Sequence, residues 1–372
     1  MRASLVAGIV FANTNDIALK KMTAKRSMAS VPFGARYRLI DFALSNLVNA
    51  GITSVGIITK ENYRSLMDHV GNGFYWDLDR KNGGLFLLPP YITSGARRYN
   101  GTVDALHGAN DYIKHSKAEY LVLCNADVLA NVDVSSAIKS HIANGADITV
   151  VYHDGKVPVN DGETMLLSLD KNGKVKGIDF DSEPKTEAKF SIGITVITKS
   201  VLEDLVKDAY EDGLVNFNSE VIGSKFKTLK VYGFEHKEYV TFMNSTDSYY
   251  KASMALLDPA VRNQLFNSER PVLTKTRDDM PTRYGTKAKV TNCLIADGCV
   301  IDGTVKNSIL FRGVKVEKGA VVENCILTQE TKVGKDAQIN NVISDKNAVV
   351  GDGMVLKGTD RKHFFIKKNQ IV

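Results

Sequence analysis

Aliphatic residues recur every six positions through the last quarter of the chain: Leu294 and Val300; Leu310, Val316 and Val322; Leu327, Val333 and Ile339; Ile343, Val349 and Val355. Gly313 and Gly319 repeat with the same step. Neither a helix nor a half-buried strand has this period. It is the period of a parallel β-helix, in which each coil buries its aliphatic residues on the next. Short strands of a sandwich would not hold period six over more than three sets. The offsets between sets predict coils with irregular turns.

Upstream, strand-like runs alternate with helical ones. Residues 5–12, 54–59, 120–124 and 148–152 are rich in aliphatic and β-branched side chains, whereas 41–50 and 135–144 have helical spacing. Such alternation predicts βαβ units, hence a mostly parallel sheet covered on both faces. Ligands of such sheets sit at the carboxyl ends of the strands. The turn after the first strand and the turn at Asn125–Asp127 therefore belong to one expected pocket. Pro271 to Pro281 is polar and reads as a connection. The expected organisation is an α/β domain over 1–270, a linker over 271–285, and a β-helix over 286–372.

Charge and cysteine usage narrow the function classes. A net charge of +6 spread over 372 residues, without clustering, gives little support for nucleic-acid binding. Cys124, Cys293 and Cys325 sit in apolar runs and Cys299 has no CxxC partner, which predicts reduced core residues rather than metal ligands. No apolar stretch is long enough to span a membrane. A cytoplasmic setting fits.

Four stretches carry a resemblance: 31–46 (VPFGARYRLIDFALSN), 76–84 (WDLDRKNGG), 88–91 (LPPY) and 101–105 (GTVDA). In this order they resemble the glucose-1-phosphate adenylyltransferases, the ADP-glucose pyrophosphorylases, and most of all the regulatory D-type subunit of bacteria that encode two homologous subunits. The resemblance implies a Rossmann-like nucleotidyltransferase domain followed by a left-handed parallel β-helix. It also implies a site whose residues can be checked one by one.

The family's triphosphate loop reads roughly Gly-Gly-x-Gly-Thr-Arg-Leu. In this chain Asn13, Thr14 and Asp16 fall on the glycines, Ile17 on the threonine, Ala18 on the arginine and Leu19 on the leucine. Side chains thus replace the bare backbone that closes on phosphates, a bidentate cation is gone, and a carboxylate is added. Met28 replaces the lysine of the following motif. Asp127 matches one metal-binding aspartate, as a vestige. The second falls on Phe242, which cannot hold Mg²⁺. Glu183 takes the place of the lysine that binds the sugar phosphate, reversing the sign of the interaction; Lys185 is one register too late. The stretch 190–194 (FSIGI) resembles the family's sugar-site strand. Asp247 reads as a helix residue rather than a displaced ligand.

These losses strike triphosphate, metal and sugar phosphate separately, so no intact catalytic set is expected and any Mg²⁺ belongs to a partner subunit. The resemblance further implies effector binding by Lys25, Arg26 and Arg38, with the basic run Arg361, Lys362, Lys367 and Lys368 closing over them. Pro32 replaces a histidine often found there. The reading is a non-catalytic regulatory subunit joining a catalytic paralogue, with a heterotetramer expected. Two alternatives stand beside it: an active sugar-1-phosphate nucleotidyltransferase with an altered loop, and an autonomous sugar-phosphate sensor. An acyltransferase is disfavoured because residues 290–355 contain no histidine.

Overall fold

The computed structural model describes residues 5–90, 99–158, 164–180, 187–360 and 362–372. The first strand, Val6–Phe11, lies at the centre of a nine-stranded sheet. It pairs in parallel with Ser54–Ile58 on one side and with Tyr120–Asn125 on the other. Ser54–Ile58 continues in parallel to Gly84–Leu88. Beyond Tyr120–Asn125 the sheet turns antiparallel through Ala188–Thr198. Val6, Ile9 and Val10 are buried on both faces of the sheet, as a near-continuous apolar run requires. The helix Leu39–Asn49 covers one face through Ile40, Ala43, Leu44 and Leu47, and its first turn is fixed by a capping box with Asp41.

The sheet delivers two chain turns to one place. Phe11 pairs with Asn125, and the backbone N–H of Ala126 donates to Phe11 O at 3.2 Å. The Ala188–Thr198 strand carries an irregularity between Ser191 and Ile194, where Gly193 has φ +70°. A Cβ there would lie 2.9 Å from Asn125 Nδ2, so glycine is required to bring this strand against the pocket wall.

The C-terminal region is a parallel β-helix. Lys315, Lys332 and Val349 stack in register, as do Val316, Val333 and Val350. The middle coils stand 17 residues apart, one fewer than three hexapeptides, whereas one early step is 15 residues and the last is 22. The missing residue is at a tight corner where Asn307, Asn324 and Asn341 adopt positive φ, which asparagine tolerates better than most residues. The structure corrects the hexapeptide reading in four places. Ile301, Val350 and Leu356 point inward where Val300, Val349 and Val355 were expected, Val355 being exposed, and Ile343 faces the α/β domain. Pairing of the coils begins inside the stretch read as linker: Arg283–Tyr284 already pairs with Val300–Ile301.

A second row of aliphatics, Ile309, Ile326 and Ile343, faces outward from the coils and packs against Leu19, Met28, Phe33 and Tyr249 of the α/β domain. The two domains therefore share a core. Tyr250, on the helix Thr246–Ala255, donates to Asn324 O at 2.9 Å and stacks on His363, with ring centroids 3.7 Å apart. Cys124, Cys299 and Cys325 are buried, Cys293 is half-buried, and all four are free thiols. Among the described residues no helix is long and apolar enough to cross a membrane.

Candidate functional site

The turn after the first strand is closed by its own side chains. Asn13 Nδ2 donates to Asp16 Oδ2 (2.6 Å) and to Glu61 O (3.0 Å), while Asn13 Oδ1 accepts from the Lys60 backbone N–H at 2.7 Å. Asp16 Oδ1 accepts the backbone N–H of Met28 at 2.7 Å. Thr14 Oγ1 donates to Phe11 O, and Thr23 Oγ1 donates to Asp16 O. Burial holds the Asp16 carboxyl above its usual range, with the Asn13 and Met28 donors opposing. Asn15 turns the chain with φ +55°, where a glycine loop would use glycine. The turn thus spends on itself groups that a phosphate loop would offer to ligand. Met28 is fully buried and Ala18 is half-buried, so neither position offers a cation.

Asp127 follows the Tyr120–Asn125 strand and is only 7% exposed. Its Oδ1 is buried without a hydrogen-bond partner among the described residues. Burial pushes its carboxyl up to about 7, helped by the neighbouring Asp16. Beside it, Val240–Phe242 pairs antiparallel with Val128–Ala130, setting Phe242 opposite Val128. The Phe242 ring packs on Phe190 with centroids 6.0 Å apart. An apolar ring thus fills the flank of Asp127 where a second carboxylate would be needed, and the pair does not fit Mg²⁺. Among the described residues no group of three or more His, Cys, Asp or Glu is arranged to hold a metal ion. Ser245 caps the Thr246–Ala255 helix, and Asp247 in its first turn pairs with Lys251 at 2.6 Å.

Asp127 opens onto a cavity of about 330 Å³ at the carboxyl ends of the strands. Phe242, Asn125, Ser191, Gly193, Thr195 and Phe217 line it, together with Thr102, Asn216 and Asn218. Asp127 is the one charged side chain among its described lining residues. A smaller cavity of about 210 Å³ adjoins it across Thr14 and Asn15 and carries Lys60. Glu183 and Lys185 lie outside the described residues.

A separate cavity, of about 250 Å³, opens between the two domains. Arg36, Arg38, Lys275, Arg277, Arg312 and Lys346 line it against one carboxylate, Asp68. Arg38 Nη1 donates to Ser65 O and Oγ at 2.5 and 3.0 Å. Burial lowers the Arg38 guanidinium to about 10, and Asp41 opposes this. Burial likewise lowers the Lys346 ammonium to about 7, reinforced by Arg38 and Arg26. His69, at the cavity wall, bonds Asp41 through Nε2 at 2.6 Å, yet burial holds its pKa below the usual range.

Of the three cations expected at an effector site, only Arg38 lines this cleft. Arg26 is buried and turned onto Asp345, so its charge is already spent inside the protein; Lys25 is exposed on the surface away from the cleft wall. Arg361 lies outside the described residues, and Lys362, Lys367 and Lys368 are exposed and do not line the cleft. Arg36, Lys275, Arg277, Arg312 and Lys346 escaped the sequence reading. Lys275 and Arg277 fall in the stretch read as linker, and Arg312 and Lys346 sit at coil corners of the β-helix. The signal available was Arg36 and Arg38, two residues apart, inside the 31–46 motif already singled out.

The α/β sheet with its altered turn, and the β-helix behind it, define a nucleotidyl transferase fold with a hexapeptide-repeat domain. Residues 18–257 match the nucleotidyl transferase family and residues 279–372 the GlmU-like C-terminal hexapeptide family. The chain is 39% identical to the glycogen biosynthesis protein GlgD of Geobacillus stearothermophilus, over 98% of this chain and 96% of the relative. It is 36% identical to GlgD of Bacillus subtilis over the same shares. It is also 31% identical to the glucose-1-phosphate adenylyltransferase of Geobacillus stearothermophilus, over 82% of this chain and 79% of that enzyme. The chain belongs to the glucose-1-phosphate adenylyltransferase family and resembles its GlgD members along its whole length.

Proposed function

We propose that this chain is a non-catalytic regulatory subunit that assembles with a catalytic glucose-1-phosphate adenylyltransferase paralogue and modulates ADP-glucose synthesis for glycogen. The observation that carries this reading is Phe242 standing beside Asp127 in place of a second carboxylate. The self-bonded turn at Asn13–Asp16 supports it, as does the lack of a cation among the described residues that line the cavity beside Asp127. Nucleotidyl transfer needs charge stabilisation at the pyrophosphate and at the attacking sugar phosphate. Mg²⁺ and both substrates are then the partner's, and this chain acts by biasing the partner between states.

The interdomain cleft is where such a subunit would take an effector. Six basic side chains around one small cavity, of which Arg36 also pairs with Asp297 and Arg312 with Asp279, favour a compact anion such as a phosphorylated sugar. The cleft is walled by both domains, so an anion bound there couples their relative position to occupancy.

Mixing the purified chain with the paralogue tests the reading. The expected result is a hetero-oligomer, a heterotetramer by mass, and a change in the paralogue's kinetics or effector response. A coupling of about 1–3 kcal/mol, roughly five- to 150-fold, is typical. Mg²⁺-dependent ADP-glucose synthesis by this chain free of paralogue would overturn the proposal, as would the absence of any complex at micromolar concentration.

A further inference from the structure

We propose that a cavity at the amino ends of the sheet strands is a binding site for an aryl anion, an apolar ring system bearing a carboxylate or sulfonate. The proposal goes beyond the regulatory reading and does not depend on it. Val6 and Ala7 open the first strand and Ser54 opens its neighbour, so the cavity lies at the opposite end of the sheet from Phe11, Asn125 and Asp127. At about 780 Å³ it exceeds the cavities described above and falls within the range of ligand pockets, about 300–1,000 Å³. One wall is Phe86 and Leu88 of the Gly84–Leu88 strand, at the edge of the sheet; another is the helix Asn110–His115, which brings in Tyr112. Phe86 is 41% exposed, and its ring centroid lies 5.3 Å from that of Tyr112 at a tilt of 53°. A Cβ on Gly56 would stand 2.7 Å from Leu88 Cδ1 and 3.0 Å from Tyr112 Cε1, so glycine there lets both side chains lie against the sheet.

The walls select an apolar body, because their polar groups are already paired. Ser54 Oγ and Tyr112 OH bond each other at 3.1 Å, and Tyr112 OH also donates to Gly8 O at 3.3 Å. Ser116 Oγ accepts the Ala118 backbone N–H at 3.2 Å. A sugar would find few free partners against these groups, whereas an aromatic ring meets two rings by edge or offset contact. The rim selects the charge. Lys81 and Lys117 are exposed there and form no ion pair among the described residues, against one lining carboxylate, Asp111. His115 Nδ1 is tied to Asp111 O at 2.7 Å. The carbonyls that end the Asn110–His115 helix would repel an anion, but Lys199 Nζ covers them, donating to Ser116 O at 2.7 Å and to Lys114 O at 3.2 Å. The balance at the rim is therefore positive. Addition of a partner strand, the competing use of such an edge, is opposed by Pro89 and Pro90 directly after the strand.

Fluorescence titration of the full chain, without paralogue, tests the proposal. The probe is 1-anilinonaphthalene-8-sulfonate, and its control is N-phenyl-1-naphthylamine, the same ring system without the sulfonate. The expected result is saturable binding of the sulfonate at one site per chain, with the neutral dye at least about tenfold weaker. Phe86→Ala should weaken both dyes by about fivefold, in keeping with the loss of one aromatic contact. Lys81→Gln combined with Lys117→Gln should weaken the sulfonate by about fivefold and leave the neutral dye unchanged, since exposed charges contribute modestly. Phe86, Lys81 and Lys117 are all exposed, and native circular dichroism checks that each variant folds. Equal affinity for the two dyes overturns the proposal, as does unchanged sulfonate binding in either variant, which would place the dye elsewhere. Laurate and adenosine 5′-monophosphate serve as competitors. Displacement of the sulfonate by either, at or below the dye's own dissociation constant, would assign the cavity to an acyl chain or a nucleotide and overturn the aryl-anion reading. None of these outcomes bears on assembly with a paralogue, so the two readings fail separately.

Discussion

Arg26 and Asp345 stand 319 residues apart in the chain, and Arg26 Nη2 lies 2.9 and 3.1 Å from the two Asp345 carboxylate oxygens. Both side chains are almost fully buried, at 4% and 5% exposure. The pair ties the α/β domain to the β-helix within a shared apolar interface. Removing one partner leaves the other charge buried without compensation, which typically costs about 3–5 kcal/mol. Asp345→Ala should therefore lower stability by that amount in urea denaturation followed by the fluorescence of Trp76, the single tryptophan. Arg26→Met combined with Asp345→Leu should recover most of it, since the apolar pair needs no desolvation. A loss below about 1 kcal/mol in Asp345→Ala would show the pair to be far better solvated than its burial implies.

Restoring a carboxylate at position 242 should not restore synthesis. Phe242→Asp would set a second acid beside Asp127, yet the turn at Asn13–Asp16 would remain closed on itself and Ala18 and Met28 would still lack charge. Groups that act as one catalytic unit do not contribute additively. The variant is expected to show no ADP-glucose synthesis with Mg²⁺, ATP and glucose 1-phosphate. It should also lose about 1–3 kcal/mol of stability with the Phe190 contact. Strong catalysis by this single variant would falsify the account of the turn.

The sequence made the large features readable because they repeat. Period six announced the β-helix, and the alternation of strands and helices announced the sheet. The defects at Phe242 and Asp16 were legible because each occupies a fixed place in a motif. Two things were hidden. The 17-residue coil comes from left-handed asparagine corners, a backbone property that hydrophobic periodicity does not record. The basic cleft joins residues from positions 36 to 346, and no local pattern links Arg38 to Lys346. The fate of Arg26 depended on Asp345, a partner whose position only the packed interface fixes.

Asp127 should make stability depend on pH in a definite direction. Its carboxyl is raised from 3.8 to about 7 by burial, so the folded chain holds a proton that the unfolded chain releases. The stability it contributes is fully present below the unfolded value and is lost as pH rises through about 7. Asp127→Asn does not titrate. The variant should therefore gain in Tm relative to wild type between about pH 4 and pH 8, and the gain should level off above that. At 1.36 kcal/mol per decade of proton affinity the ceiling is about 4 kcal/mol. Thermal melts across this range provide the check, and a difference independent of pH would place the Asp127 carboxyl in contact with solvent.

Lys346 should link anion binding in the cleft to protons. Burial, with Arg38 and Arg26 beside it and Lys368 farther out, lowers its ammonium from 10.5 to about 7, against the pull of Asp345. At neutral pH the group is thus divided between charged and uncharged forms. A bound anion favours the charged form, so binding takes up a proton and tightens as pH falls. With the bound-state value above 8, affinity should rise about tenfold from pH 8 to pH 6. Inorganic sulfate is the suitable probe, because its own charge is constant over that range. His69 and Arg38 share the wall, and Arg38 stays charged throughout, so Lys346→Met separates the contributions. That variant should bind sulfate more weakly at pH 6 and lose most of the pH dependence; any slope that survives reports on His69. Its effect on stability has the opposite sign. The depressed folded value means that protonation of Lys346 opposes folding: the penalty is absent above about 10.5, where the amine is neutral in both states, and grows as pH falls toward 7. Lys346→Met should therefore melt higher than wild type at neutral pH while binding the anion less well. A variant that is both less stable and unchanged in sulfate affinity would place the anion site away from Lys346.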